Sequence, residues 1–478
     1  MTATIDFTPL LSALRHVVGD AYVLTEGDLT GYEQDWRKRE RGHALAVVRP
    51  ATTREVSAVV KACAAAGVSL VPQGGNTGLV AGSTPDASGR QVVLNLGRMA
   101  AIRQLDADNL TVTVEAGCVL QNLQQAMEQQ GFLFPLSLAA EGSCMIGGNL
   151  ASNAGGTQVL RYGNARELCL GLEVVTPQGD VWNGLSGLRK DNTGYDLRNL
   201  FVGSEGTLGV ITAATLKLYP LPAATLTAWA AVPSLASAVA LLGLAQKHLG
   251  AGLTGFEAMG QFALSLVGKH MPQLRVPFLG DAATPYCVLL ENSDSESEEH
   301  ARAQFERLLE TAFDAGVVTD AVVAENIGQA NGLWHIRESI PMAQAEEGLN
   351  VKHDISVPIS RIAEFVEVTD ALLREEIPGV RLVNFGHLGD GNLHYNVQAP
   401  ESGDAAEFLR EQEERVNDLV YRSVASFDGS FSAEHGVGGL KVHKLEEYKD
   451  PAALAMMRSI KGALDPQNIM NPGRVLAR

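Results

Sequence analysis

Three glycine-rich loops, each set beside an apolar run with strand character, narrow most sharply what this chain can fold into. PQGGNTGLVAGS (72–83) follows the buried-strand pattern VSLV, EGSCMIGGNLASNAGG (141–156) carries five glycines among small residues, and GSEGTLGVIT (203–212) leads into a strand. Without Cβ atoms in the way, backbone N–H groups in such loops can converge on a phosphate. The first loop is neither a G-x-G-x-x-G followed by a helix and a ribose-binding acid nor a G-K-[ST] loop, which disfavours a nicotinamide Rossmann fold and a P-loop. One such loop alone would be a tight turn. Three in one region point to a groove for a dinucleotide. Glycine is in excess overall, 49 of 478 residues, against a usual share of about 7%.

The length, about three times the ~150-residue prior for one domain, predicts two or three domains. A formal net charge of −18 argues against nucleic acid, whose affinity comes largely from cations on phosphates. Five scattered cysteines (Cys63, Cys118, Cys144, Cys169, Cys287) without a C-x-x-C disfavour a zinc–thiolate site, an iron–sulfur cluster and a disulfide scaffold. The opening MTATIDFTPLLSALRHVVGD lacks a signal peptide's basic start and apolar run, and no stretch of ~18 apolar residues exists, so a cytoplasmic location is expected. Residues 45–219 alternate strand runs (VSLVP, VVLNL, LTVTVEAG, LCLGLEVVTPQGDVW, GVITAATLKLYPL) with glycine loops, and 56–67 reads as a helix stopped by Gly67. YPLPAAT (219–225) reads as a boundary. Beyond it lies an α+β domain, an antiparallel sheet with helices on one face, and a helical tail starts near Gly438. The expected division is 1–219, 220–430 and 431–478.

The strongest local signal is VNFGHLGDGNLHYNV (383–397). Asp390-Gly391 between strand-like residues predicts a two-residue type I′ hairpin, and counting outward sets His387 opposite His394, with Cβ atoms ~4.5–5.5 Å apart. Two imidazoles so placed can grip a divalent cation, and Asn396 shares their face. SAEHGVG (432–438) supplies candidates for a third ligand: Glu434 and His435 are neighbours expected to point in different directions, which allows one to bind metal while the other faces substrate. Two histidines and a carboxylate suit Zn²⁺, with Mn²⁺ or Co²⁺ admissible. LWHIRESIP (333–341) places Trp334 and Arg337 on one helix face. LNVKHDISV (349–357) places Lys352, Asp354 and Ser356 on one side of a strand. By themselves Arg337 and Lys352 read as surface cations. DPQNIMNPGRVL (465–476) has turn chemistry suited to a C-terminal clasp.

The three loops, in this order and spacing, resemble the vanillyl-alcohol oxidase / p-cresol methylhydroxylase superfamily of FAD enzymes over nearly the whole chain, and within it the D-2-hydroxyacid branch that holds D-2-hydroxyglutarate and D-lactate dehydrogenases. The resemblance implies an α+β fold: a two-subdomain FAD-binding domain of that type, a substrate and metal-binding domain with an antiparallel sheet covered by helices, and a C-terminal segment packing back on the FAD domain. It implies FAD contacts at Pro72, Gly74, Gly75, Asn76, Thr77, Gly78, Gly82 and Ser83 around the pyrophosphate and flavin side. Gly142, Ser143, Gly147, Gly148, Ala151, Ala154 and Gly155 follow in the second loop, Gly206 and Ile211 near the adenine half, and Asn471 near the flavin ring. Relatives with covalent FAD carry a His after the paired glycines; Asn76 stands there, and Cys144 reads as a packed residue, so FAD is expected to be noncovalent. His387, His394 and Glu434 match the family's metal ligands and His435 its base. Arg337 and Lys352 fall where D-2-hydroxyglutarate dehydrogenases hold the distal carboxylate. Pro341 replaces a family Thr, which leaves D-malate or a broader D-2-hydroxyacid range open.

The expected reaction is oxidation of a D-2-hydroxyacid, a dicarboxylate by the Lys352 argument, to the 2-oxoacid, with His435 as base and Asn396 orienting the substrate oxygen. A D-lactate or glycolate dehydrogenase is the alternative within the family. A metal-dependent hydrolase would need only the two histidines and Glu434 and leaves the loops unexplained; a noncatalytic flavin-binding subunit leaves the metal and base set unexplained. No haem or iron–sulfur motif exists, so electrons are expected to leave to a separate acceptor such as an electron-transfer flavoprotein or a quinone. The oligomeric state stays open, a homodimer included.

Overall fold

The computed structural model describes residues 6–478, so the first five residues of the opening read above lie outside the described ones. The chain divides into two compact units, one made of Met1–Gly155, Gly163–Pro220 and His435–Arg478, the other of Gly156–Tyr162 and Leu221–Glu434.

In the first unit a four-stranded sheet has the order Val23–Leu24, Ala44–Val48, Gln91–Asn95, Leu70–Gln73, the last three strands parallel. Gln91–Asn95 is buried at every position, as expected of a parallel strand covered on both faces. The helix Thr53–Ala66 begins three residues before the start read from sequence. Thr52 caps it by accepting from the Glu55 N–H, and the Glu55 carboxylate reaches back to the Ala51 N–H, a variant of the capping box. It stops at Gly67, whose φ is +62°. The second sheet is antiparallel, in the order Ile102–Asp106, Thr111–Glu115, Val210–Lys217, Cys169–Val175, Val181–Gly184. LCLGLEVVTPQGDVW, read as one strand, is a hairpin: the Thr176 N–H bonds the Asp180 carbonyl and Gly179 turns the chain at φ +80°.

The second unit is built on an eight-stranded sheet, antiparallel throughout. Its order is Asp320–Val323, Ala224–Val232, Tyr286–Asp294, Leu253–Gly260, Arg381–Gly386, Asn392–Gln398, with Asn350–Val351 and Asp354–Ser356 both on the last strand. The expectation of helices on one face alone is corrected. Trp229, Met259, Leu289, Val383 and Phe385 form one core with the helices Gln261–His270 and Ile327–Glu347. Their neighbours Ala228, Ala230, Ala258, Val288 and Leu290 are equally buried and point to the opposite face. The helices Leu235–Leu249 and Glu298–Asp314 contact the same strands without joining that core. Covering both faces buries the central strands along nearly their whole length, acids such as Glu257 and Glu291 included.

Candidate functional site

In the first unit the three glycine loops meet. A Cβ on Gly75 would lie 2.0 Å from the Ser143 carbonyl oxygen, and one on Gly206 would lie 3.1 Å from the Pro72 ring. Glu205 and Gly203 donate their N–H groups to the Ala151 and Leu150 carbonyls. The Asn471 side chain, buried at φ +45°, donates to the carbonyls of Gly82 and Glu205 at 2.8 Å each. Its amide clasps the first loop to the third. Asn76, at φ +54°, ties the first loop to Gly31 and Gln34 and accepts from the Ser83 hydroxyl. Cys144 is buried, with its thiol pushed up by burial, as befits a packed residue rather than a nucleophile. Thr77, Ala151 and Ala154 are half-buried beside these glycines, Gly142 is exposed and Gly155 buried. Ile211 sits in the ladder opposite Val174.

The loops fit a dinucleotide on one particular observation. Gly75 and Gly147 are glycine because backbone or Ala116 crowds them, but Gly78 and Gly148 have neither a positive φ nor any atom within 4 Å of an added Cβ, and both are exposed. Nothing internal requires glycine there, so the open space suits a ligand approaching the backbone. Gly148→Leu is therefore expected to lose bound FAD while the flavin-free protein unfolds in urea as before. Gly75→Ala is expected to destabilise the fold itself, by about 1–3 kcal/mol. Flavin absorbance per protein and urea unfolding of the flavin-free forms check the contrast.

In the second unit the two histidines come together by a route the sequence reading missed. The ladder pairs Phe385 with His394 and Asn384 with Tyr395, so His387 lies beyond the paired strand rather than opposite His394. A single helical turn, Leu388–Asp390, replaces the type I′ turn. The N–H groups of Asp390 and Asn392 bond the His387 carbonyl, and Gly391 closes the turn at φ +86°. The rings still lie 5.5 Å apart at 76°. The segment leading to Glu434 pairs with a sheet strand through Ser356 and Ser430. The Asp354 carboxylate accepts from the Glu434 N–H and from the Asn392 amide, both at 2.9 Å. His387, His394 and Glu434 thereby bring one ligand atom each within 4.8 Å of one another.

This donor set fits a divalent cation, because soft-to-borderline nitrogen donors are combined with a surplus of carboxylate. Glu434 is raised above the usual carboxyl range by burial and by the charges of Asp354, Asp390 and Glu257, against the pull of His387. Burial raises Asp390 to about 6. Burial works against a charge on His387, yet Glu257 and Glu434 lift it to about 9.

Glu257, which sequence reasoning missed, is 1% exposed in the apolar strand Leu253–Gly260. Burial works against its charge, but His387 and Arg337 hold it down at about 2. The signal was present, since an acid inside an apolar strand is rarely buried unless paired. Asp354 had been placed on its strand face without a role.

Arg337 is buried beside Glu257 at 2.7 Å and lies over the Phe385 ring. Its Nη2 lies 2.7 Å from the same Glu257 oxygen, a buried ion pair. Trp334, on the same helix, donates to Glu291. Asn396 is buried, accepting from the His353 N–H and donating to Gln344, which leaves it one donor and one lone pair. Lys352 is exposed in the gap between Asn350–Val351 and Asp354–Ser356. The gap arises where Asn396 takes the His353 N–H from the ladder. Pro341 is exposed inside the helix Ile327–Glu347. His435 is half-buried and opens the last segment of the first unit.

Comparison with known proteins agrees across the chain. Residues 221–475 match the family model described as FAD linked oxidases, C-terminal domain, and residues 44–184 match the FAD binding domain. A mitochondrial D-2-hydroxyglutarate dehydrogenase of Arabidopsis thaliana is 37% identical over 98% of this chain and 81% of its own. A D-2-hydroxyglutarate dehydrogenase of Xanthomonas citri pv. viticola is 38% identical over 98% of this chain and 97% of its own. The crystal structure of p-cresol methylhydroxylase with substrate bound shares the fold, with a TM-score of 0.73 at 17% identity over 98% of this chain and 97% of that one. Among the described residues no helix is long and apolar enough to cross a membrane.

Proposed function

The chain belongs to the FAD-linked oxidases and is an FAD-dependent dehydrogenase of the D-2-hydroxyacid branch; from that premise we propose that it oxidises D-2-hydroxyglutarate, with D-malate or related D-2-hydroxyacids as further substrates, and that it needs a divalent metal, zinc in the first instance. The observation that carries the metal dependence is the convergence of His387, His394 and Glu434. Names and near full-length identity of the relatives support the substrate.

We assign FAD, held noncovalently, to the first unit and the metal to the second. When bound, FAD would supply the hydride acceptor and the metal would supply Lewis acidity. The rest falls to side chains. His435 takes the hydroxyl proton as general base, and Asn396 orients the oxygen with its remaining donor. Arg337 and Lys352 hold the distal carboxylate, roles that follow from the family resemblance at these two positions. Loss of the hydroxyl proton and then of the C2 hydride gives the 2-oxoacid, and a separate acceptor, an electron-transfer flavoprotein or a quinone, would take the electrons.

Lys352→Ala tests the dicarboxylate assignment. KM is expected to rise by about 10–100-fold for D-2-hydroxyglutarate, the loss of one charge-assisted contact, and to change little for D-lactate, which has no second carboxylate. Steady-state kinetics with both substrates measure it, and equal changes would remove the dicarboxylate from the reading.

A further inference from the structure

We infer that Glu257 is a positioning residue that fixes the ring of a metal ligand and the guanidinium of the proposed substrate arginine with one carboxylate. The inference rests on the metal-dependent reading above. The Glu257 Oε1 lies 2.6 Å from His387 Nδ1, and its Oε2 accepts from Arg337 Nε at 2.7 Å. An ionised carboxylate can only accept, so Nδ1 carries the ring proton and Nε2 is the atom left for a metal. That nitrogen faces Glu434, 3.7 Å from its Oε2. Orientation of a ligating histidine by a carboxylate on its other nitrogen is a recurrent way of tuning a metal site.

A purely structural role explains this arrangement poorly. Around Glu257 the strand is Leu253, Thr254, Gly255, Phe256, Ala258, Met259, and at position 257 an apolar side chain would pack without the desolvation that a buried charge incurs. Glu257 is not among the clustered ligand atoms of His387, His394 and Glu434, and it meets His387 at Nδ1, the nitrogen not assigned to the metal. Its effect runs through the two groups it holds.

Glu257→Gln separates the roles because glutamine has one acceptor and one donor end. Turned one way, its NH₂ meets Nδ1 and drives the ring proton onto Nε2, the metal-binding atom; turned the other way, it meets the Arg337 donors. The affinity of the FAD-loaded enzyme for Zn²⁺, read by competition with a chromogenic chelator, is expected to fall about 10–100-fold with flavin content unchanged. Zn²⁺ affinity within about twofold of wild type, against that expected loss, would overturn the inference while leaving the metal-dependent reading in place. A wild-type enzyme that binds no Zn²⁺ would overturn both. Should the variant fail to fold, ¹⁵N-histidine NMR of the Zn²⁺-loaded wild type decides: a proton on His387 Nδ1 is expected, and one on Nε2 would refute the assignment.

Discussion

His435→Ala is expected to slow flavin reduction by substrate by about 10²–10⁴-fold, the range lost when a positioned general base is removed, while the bound-FAD spectrum stays that of the wild type. The expectation comes from the division of labour between neighbours. Glu434 is drawn into the ligand cluster by its N–H bond to the Asp354 carboxylate, while the adjoining His435 is the proposed base. On the proposed reading a metal would lower the pKa of the substrate hydroxyl, and an imidazole placed beside it would be matched to proton removal near neutral pH. Rapid-mixing spectrophotometry under anaerobic conditions separates this step from reoxidation. Reduction at the wild-type rate in the variant would move the base elsewhere.

The second large effect is metal removal. Prolonged chelation is expected to lower turnover about 10³-fold, the scale of several kcal/mol of Lewis-acid stabilisation, without releasing FAD, whose proposed contacts all lie in the other unit. Zn²⁺, Mn²⁺ or Co²⁺ should restore it and Mg²⁺ or Ca²⁺ should not, since two imidazole ligands favour the former group. His394→Ala should reproduce the chelated state and resist rescue. Full activity in protein shown by elemental analysis to be metal-free would remove the metal from the mechanism.

Much of the architecture was legible because it rests on local signals. Strand–glycine alternation marks the first unit, and the three loops do converge. What failed was detailed geometry. Asp390-Gly391 is a sound turn signal, yet the two-residue turn gives way to a longer, helical one in which Asp390 and Asn392 bond back to the His387 carbonyl, shifting the register by two residues without separating the imidazoles. The strand read through Lys352 loses its ladder where Asn396 intervenes. The partnership of Glu257 with His387 joins residues 130 apart in sequence, beyond any periodicity. Asn471 shows the converse: its tail has turn chemistry readable in sequence, and in the fold its amide is spent clasping two loops.

The most direct test is the visible spectrum of the purified protein under anaerobic conditions, before and after adding D-2-hydroxyglutarate, with D-lactate in parallel. A flavin band bleached preferentially by D-2-hydroxyglutarate is the predicted result. A band bleached better by D-lactate would contradict the dicarboxylate assignment, and one untouched by either acid in metal-replete protein would contradict the proposed reaction.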